Sequence, residues 1–471
     1  MDQQDKKANA FRLGRRTLLT AGAATAAGLA APSIWVPRAH ASSGARGAIK
    51  HVIMVRLSGG FRFPCAYNAD VADEFNPFGT ASGVPDGVQW GVSSLLENAS
   101  WLSDTLPDGA TLAEAGMRAV SEQADRVTVM PTVDFEPLAG RADGNHGTGL
   151  ERFLTGFVNG DAGILTRISR GLAPRYASAL EEGNLLLPPF VMGSAGMARG
   201  LGPWAPHRPP VLSGASFERF ASEENGPPQW SQNMIDATDE RMRDRQHPAL
   251  RNRIDAFIQT RAATDAYAEI FASETLKVDN NSDELIDGIS NAELEAIFGN
   301  SRESNDLRLA LRLFHYGCPA VYLDQGGYDY HSGEQDRLPG AMDRANRMIS
   351  ALLHVLPRME HPDGGSYWDH TVVTFGSEFS RTARGGRFNS ARGSDHNGDN
   401  STRWMSMPFI GGPVALGRVV GATTNRADLA AEGTVYSYRS MVNTLMDGLG
   451  CDESVFFPGD DCVPGLLQGE G

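Results

Sequence analysis

The chain has 471 residues, 41% of them hydrophobic, and a formal net charge of −15 at pH 7. So acidic a balance argues against a nucleic-acid partner, because affinity there comes from Lys and Arg neutralising phosphates. The length suffices for one large α/β domain or two smaller ones.

The first predicted element is a leader. Asp2 to Arg16 is polar and turns basic through Lys6, Lys7, Arg12, Arg15 and Arg16. A weakly apolar run rich in Ala and Gly follows from Leu18 to Val36, and Ala39-His40-Ala41 offers the small-x-small pattern that a signal peptidase reads. The paired arginines in Gly14-Arg15-Arg16-Thr17-Leu18-Leu19 resemble a twin-arginine signal. Residues 1–41 are therefore expected to be a signal peptide recognised by the twin-arginine translocase, leaving 42–471 as a periplasmic or secreted domain. Removing them takes away six bases and two acids, so the charge of −15 becomes −19. A membrane anchor is the bland alternative. Ala, Gly and Pro32 make the run less apolar than a spanning helix, and no later stretch is long enough to span, so no stable membrane span is expected.

Export permits disulfides. Cys451 and Cys462 lie close in a Gly/Pro/Asp-rich tail and could staple a loop; Cys65 and Cys318 read as readily as reduced, buried thiols. The absence of a CxxC pattern argues against a zinc ribbon or a thioredoxin-like site.

Five short apolar, β-branched runs follow in the mature chain. His51–Leu57 stops at Ser58-Gly59-Gly60, Arg126–Met130 near Pro131, Ala320–Leu323 at Asp324-Gln325-Gly326-Gly327, Thr371–Phe375 at Gly376-Ser377-Glu378, and Met407–Ile410 at Gly411-Gly412. Such runs read as strands buried on both faces, as in a parallel sheet covered by helices. Ligands then gather beyond the carboxyl ends of the strands.

Helices are expected between them. Ser332 and Gln335 have capping-box spacing, and Leu338, Met342, Ala345, Ile349, Leu352 and Leu356 recur on one helical face until Pro357 and Pro362. The span 216–313, rich in Arg, Asp, Glu and Ala, reads as a helical insertion.

Four polar clusters carry candidate chemistry. In Asp143–Gly149, a hydroxyl at a helix N-terminus can meet a phosphate or sulfate, which makes Thr148 a candidate nucleophile and His146 a ligand or acid; the bland reading of Thr148 is an N-cap. In Gly326–His331, Asp329 and His331 stand two apart in an extended stretch and can aim at one point, as metal ligands would. In Gly376–Thr382, Glu378 can act as a ligand or general base and Arg381 can hold an anionic oxygen. In Gly393–Asn400, one of Asp395 and His396 can bind a metal while the other orients it. His370 precedes its strand, at the wrong end, and is discounted. Neutral His with carboxylates suits zinc, iron or manganese better than magnesium, so a divalent metal such as zinc is the expected cofactor. No GxGxxG or GxxxxGK[ST] pattern points to a nucleotide.

The strand ending in Ser58-Gly59-Gly60, the Asn145-His146 segment, Gly326–His331, Ser377–Thr382 and Gly393–His396 together resemble the exported proteins of domain-of-unknown-function family 1501, within the alkaline-phosphatase and sulfatase superfamily. The resemblance implies a three-layer α/β sandwich with a mostly parallel central sheet. It also implies a two-metal site that hydrolyses phosphate or sulfate esters through a Ser or Thr nucleophile. Asp329, His331 and His396 match the ligands of one metal. Two departures bear on the second: the superfamily has Asp-His where this chain has Glu378-Phe379, and a metal-binding Asp where Gly60 is followed by Phe61. The second metal site is thus expected to be altered or absent. Two functions follow. One is an exported metal-dependent hydrolase acting on a small anionic ester. The other is a non-catalytic exported protein that binds a protein partner on a degenerate version of the same fold.

Overall fold

The computed structural model describes residues 44–61, 65–67, 76, 78–135, 144–182, 184–212, 288–331, 333–381, 404–422 and 433–469, with isolated positions between 234 and 278. The expected leader lies outside them, as does most of the expected insertion up to residue 287.

Among the described residues seven strands form one sheet. They are β1 (His51–Ser58), β2 (Thr128–Asp134), β3 (Phe190–Val191), β4 (Ala320–Gly326), β5 (Thr371–Gly376), β6 (Trp404–Ile410) and β7 (Tyr436–Ser437), in the order β3-β4-β1-β5-β6-β2-β7. β1 is buried at every position from His51 to Leu57, and β2 and β5 throughout. Strands can be so only where both faces are covered. The longer helices are α1 (His146–Thr155), α2 (Ile164–Gly171), α3 (Ala173–Glu181), α4 (Asn291–Phe298), α5 (Arg302–His315), α6 (Glu334–Val355) and α7 (Tyr438–Gly448). α5 packs on β4, and α7 is buried along its whole length. The result is the expected three-layer α/β sandwich. No helix among the described residues is long and apolar enough to cross a membrane.

Three strand details differ from expectation. β6 runs antiparallel to both of its neighbours, β5 and β2, while the other neighbouring pairs are parallel. β6 enters at the edge where β5 leaves, so its terminal glycines reach the opposite edge. There Gly411, with φ +129°, lies so close to β5 that an added Cβ would fall 1.8 Å from the Thr371 carbonyl oxygen. β2 does not stop near Pro131 but runs on to Asp134. Its register shifts between Met130 and Val133, an irregularity in which Pro131 has no ladder hydrogen bond to supply.

α6 buries the predicted apolar face, from Leu338 to Leu352, and Leu356 continues it in a 3₁₀ turn that Pro357 helps to open. Its N-cap, however, is Gly333 at φ +66°, not Ser332. A glycine in the left-handed region sets the chain direction into the helix where side-chain capping was expected. All four cysteines are buried and outside any disulfide, so Cys451 and Cys462 form no staple. Cys451 is turned towards α2 instead, its sulfur 3.9 Å from the Ile168 carbonyl oxygen.

Candidate metal centre

β1, β4 and β5 are adjacent and parallel, so the segments that follow them meet at one edge of the sheet. Gly59 and Gly60 make that meeting close, with φ of +121° and +88°. A Cβ on Gly59 would lie 2.3 Å from Asp329 N, and one on Gly60 would lie 2.3 Å from the Phe379 ring. Ser377 ties the loops together. Its hydroxyl accepts from Gly60 N and Phe61 N, both at 3.1 Å, and donates to the Leu57 carbonyl at 2.5 Å.

Asp329 and His331 point the same way, as their spacing predicts, with His331 Nε2 3.3 Å from Asp329 Oδ1. His146, the first residue of α1, brings its Nε2 to 3.5 Å from the same oxygen. One ligand atom from each of His146, Asp329 and His331 lies within 4.8 Å of the others. The side chains of Asp329 and His331 are 52% and 54% exposed, so solvent and solutes reach them. Two imidazoles and a carboxylate are the donor chemistry of a zinc, iron or manganese site.

Each half of this cluster has support behind it. Glu378, only 3% exposed, accepts from Gly59 N at 2.9 Å and faces His146 Nδ1 at 3.4 Å through the same oxygen. Arg381 has no solvent exposure and donates to Asp329 Oδ1. A carboxylate behind a histidine and a cation behind a carboxylate fix the orientation of metal ligands. Burial alone would raise the carboxyl of Glu378, but the hydrogen bond from His146, the charge of Arg56 and the Gly59 N–H hold it below its ordinary value. The bond to Glu378 raises the imidazole of His146, against the effect of burial, and Asp329 adds to the rise. For Asp329, burial is outweighed by Arg381, His146 and His331, and its carboxyl is lowered.

The predicted site residues take different places in this arrangement. Arg381 does not face outward to hold an anion. Its guanidinium is turned inward, donating also to the carbonyls of Gly59, Gly60 (3.1 Å) and Tyr328 (3.4 Å). Glu378 lies behind His146 rather than in the open. Thr148 is not the N-cap. Asn145 is, accepting from Gly147 N at 2.8 Å and Thr148 N at 3.3 Å, while the Thr148 hydroxyl stands in the first turn of α1, 3.5 Å from the Asn145 carbonyl oxygen. Phe379, standing where the resemblance implied a histidine, packs its ring edge-on to His146 with centroids 4.8 Å apart. Asp395 and His396 lie outside the described residues. His370 is at the far edge of the sheet, bonded to the Gly364 carbonyl, as its place before β5 foretold.

Residues 50–463 match the family model described as "Protein of unknown function (DUF1501)". The chain belongs to this family. No curated protein matches it. Among solved structures, the DUF1501 chain is similar to a protein in the alkaline phosphatase superfamily from Vibrio parahaemolyticus. The identity is 10% and the TM-score 0.34, over 93% of this chain and 76% of that one. It is also similar to a Mg-bound mutant of TAB5 alkaline phosphatase, at 12% identity and a TM-score of 0.28, over 86% of this chain and 99% of that one. Neither likeness bears on chemistry.

One residue of this DUF1501 site escaped the sequence reading. Arg56, 6% exposed, lies in β1 with Nη1 3.6 Å from Glu378 Oε2. The signal was visible as the only charge in the apolar run His51–Leu57, but a strand pattern does not say what a buried arginine faces.

Proposed function

We propose that this protein is an exported, metal-dependent hydrolase of phosphate or sulfate esters. The observation that carries the proposal is the convergence of His146, Asp329 and His331 at the carboxyl ends of β4 and the neighbouring strands, open to solvent. These residues would hold a divalent ion. Such an ion supplies a Lewis acid for an ester oxygen and lowers the pKa of a bound water or hydroxyl. The chain's own groups do the rest. Glu378 orients His146, Arg381 orients Asp329, and Thr148, two residues after His146, is the candidate hydroxyl. Asp395 and His396 are proposed as further ligands from sequence alone. Export rests on the twin-arginine pattern in the first 41 residues.

A second reading is a non-catalytic binding protein on the same fold. Two observations favour it: Phe379 fills the place of an expected histidine ligand, and Arg381 is spent on backbone carbonyls. Metal analysis separates the two. Near-stoichiometric zinc or manganese in the purified protein, lost in Asp329→Ala and His146→Ala, supports the hydrolase. Metal at background level in the wild type, unchanged by either substitution, abandons it.

A further inference from the structure

Arg56 sits inside β1, opposite Asp324 of β4 in register. Its Nε donates to Asp324 Oδ1 at 2.8 Å and its Nη2 to the Ser194 hydroxyl at 3.1 Å. Asp324 is itself fixed. Its other oxygen accepts from Ser194 N and the Ser194 hydroxyl, both at 2.7 Å, and Tyr322 donates its phenol to Oδ1. The guanidinium therefore has little freedom, and its remaining nitrogen, Nη1, faces Glu378 Oε2. The second oxygen of Glu378 receives Gly59 N and faces His146 Nδ1.

From Asp324 to Asp329 the groups thus alternate in character: carboxylate, guanidinium, carboxylate, imidazole, carboxylate. A buried arginine in a strand carries a desolvation cost that geometry of this quality must offset. An apolar residue would serve a purely structural strand better.

We propose that Arg56, anchored by Asp324, is a positioning residue for His146. It holds Glu378 so that His146 keeps its proton on Nδ1 and presents Nε2 towards Asp329 and His331. Were Glu378 free to rotate, the ring could take the other tautomer and withdraw Nε2 as a ligand. This role rests on the metal reading above.

The test uses the full-length protein with two readouts. Nitrogen NMR of the metal-free protein reads the His146 tautomer, and chelator competition reads zinc affinity. Arg56→Gln and Asp324→Asn should each shift His146 away from the Nδ1–H form and lower zinc affinity about 10–100-fold, the range typical for loss of an outer-shell partner. Arg56→Lys, which keeps the charge without the fork, should fall between. Should Arg56→Gln fail to fold, Asp324→Asn and Arg56→Lys decide the matter. An unchanged tautomer and unchanged zinc affinity in folded variants overturn the role of Arg56 and leave the metal reading intact. A wild type that binds no zinc overturns the metal reading, and the tautomer measurement then judges Arg56 alone.

Discussion

Arg381, fully buried after β5, donates to the carboxylate of Asp329, an exposed residue after β4. The bond joins two loops that belong to non-adjacent strands with β1 between them. The same guanidinium holds the carbonyls of Gly59 and Gly60, so all three loops share one donor group.

That sharing sets the first prediction. Arg381→Met would leave those carbonyls and part of the Asp329 carboxylate without their donor. Asp329 is exposed enough for water to replace its donor, but a buried carbonyl left without one costs about 1–3 kcal/mol, and denaturant melts should show a loss of at least that size. Arg381→Lys keeps the charge but cannot reach several acceptors at once, so its midpoint should fall between wild type and Arg381→Met. A melt of Arg381→Met that matches wild type refutes this placement.

Gly60 and Phe379 provide the second. At φ +88°, with a Cβ 2.3 Å from the Phe379 ring, Gly60→Ala carries backbone strain and a clash together. A loss of about 1–3 kcal/mol is expected from each kind of defect. Phe379→Leu shortens the side chain and relieves the clash but not the strain. The double variant should therefore be more stable than the sum of the two single losses predicts, with a coupling of about 0.5–3 kcal/mol. Strict additivity would show that the two residues do not touch in solution.

Much of this architecture is legible in the chain before folding. Strands buried on both faces need unbroken apolar runs, so β1, β4 and β5 announce themselves, and the period of two put Asp329 and His331 on one side. What local sequence does not carry is the assignment of partners across loops. Arg381 looks like an anion clamp until the Gly59 and Gly60 carbonyls, more than three hundred residues away, claim it. Ser377 looks like an ordinary loop serine, yet it satisfies two N–H groups just after β1 and the carbonyl of Leu57 near its end. Ser332 has capping-box spacing, but Gly333 sets the start of α6. The reversal of β6 was hidden for a related reason: an apolar run reads the same in both directions.

The cysteines give a third prediction. All four are buried thiols at no more than 4% exposure. Burial also pushes the thiols of Cys318 and Cys451 above their ordinary range, which lowers their reactivity further. Thiol titration should find no reactive group in the native protein and all four in denaturant, and reductant should leave the melting temperature unchanged. A drop on reduction would reveal a disulfide.

The last prediction concerns acid. His51 starts β1, 3% exposed and stacked on Phe314. Its Nδ1–H donates to the Cys318 carbonyl at 2.7 Å, which leaves Nε2 to accept from His361 Nε2–H at 3.1 Å; His361 Nδ1 in turn accepts from Asp363 N at 3.0 Å. This chain of bonds uses two neutral rings, and a proton added to His51 would set two N–H groups against each other. Burial, with the charges of His361, Arg175 and His370, lowers His51 from 6.5 to about 3, against the bond to Cys318. The unfolded chain takes up this proton near pH 6.5 and the folded chain near 3. Stability is therefore complete above 6.5 and falls as pH drops through that window. Between pH 7 and 4.5, His51 alone accounts for roughly 3 kcal/mol, at 1.36 kcal/mol per pH unit. His361, lowered to about 4 by burial and by His370, steepens the fall. His51→Asn can still donate to the Cys318 carbonyl but does not titrate. It should be less stable than wild type at pH 7.5, where His361 loses its acceptor, and should lose less on acidification. Equal slopes for the two proteins in urea melts from pH 7 to 4.5 would place the acid-sensitive group elsewhere.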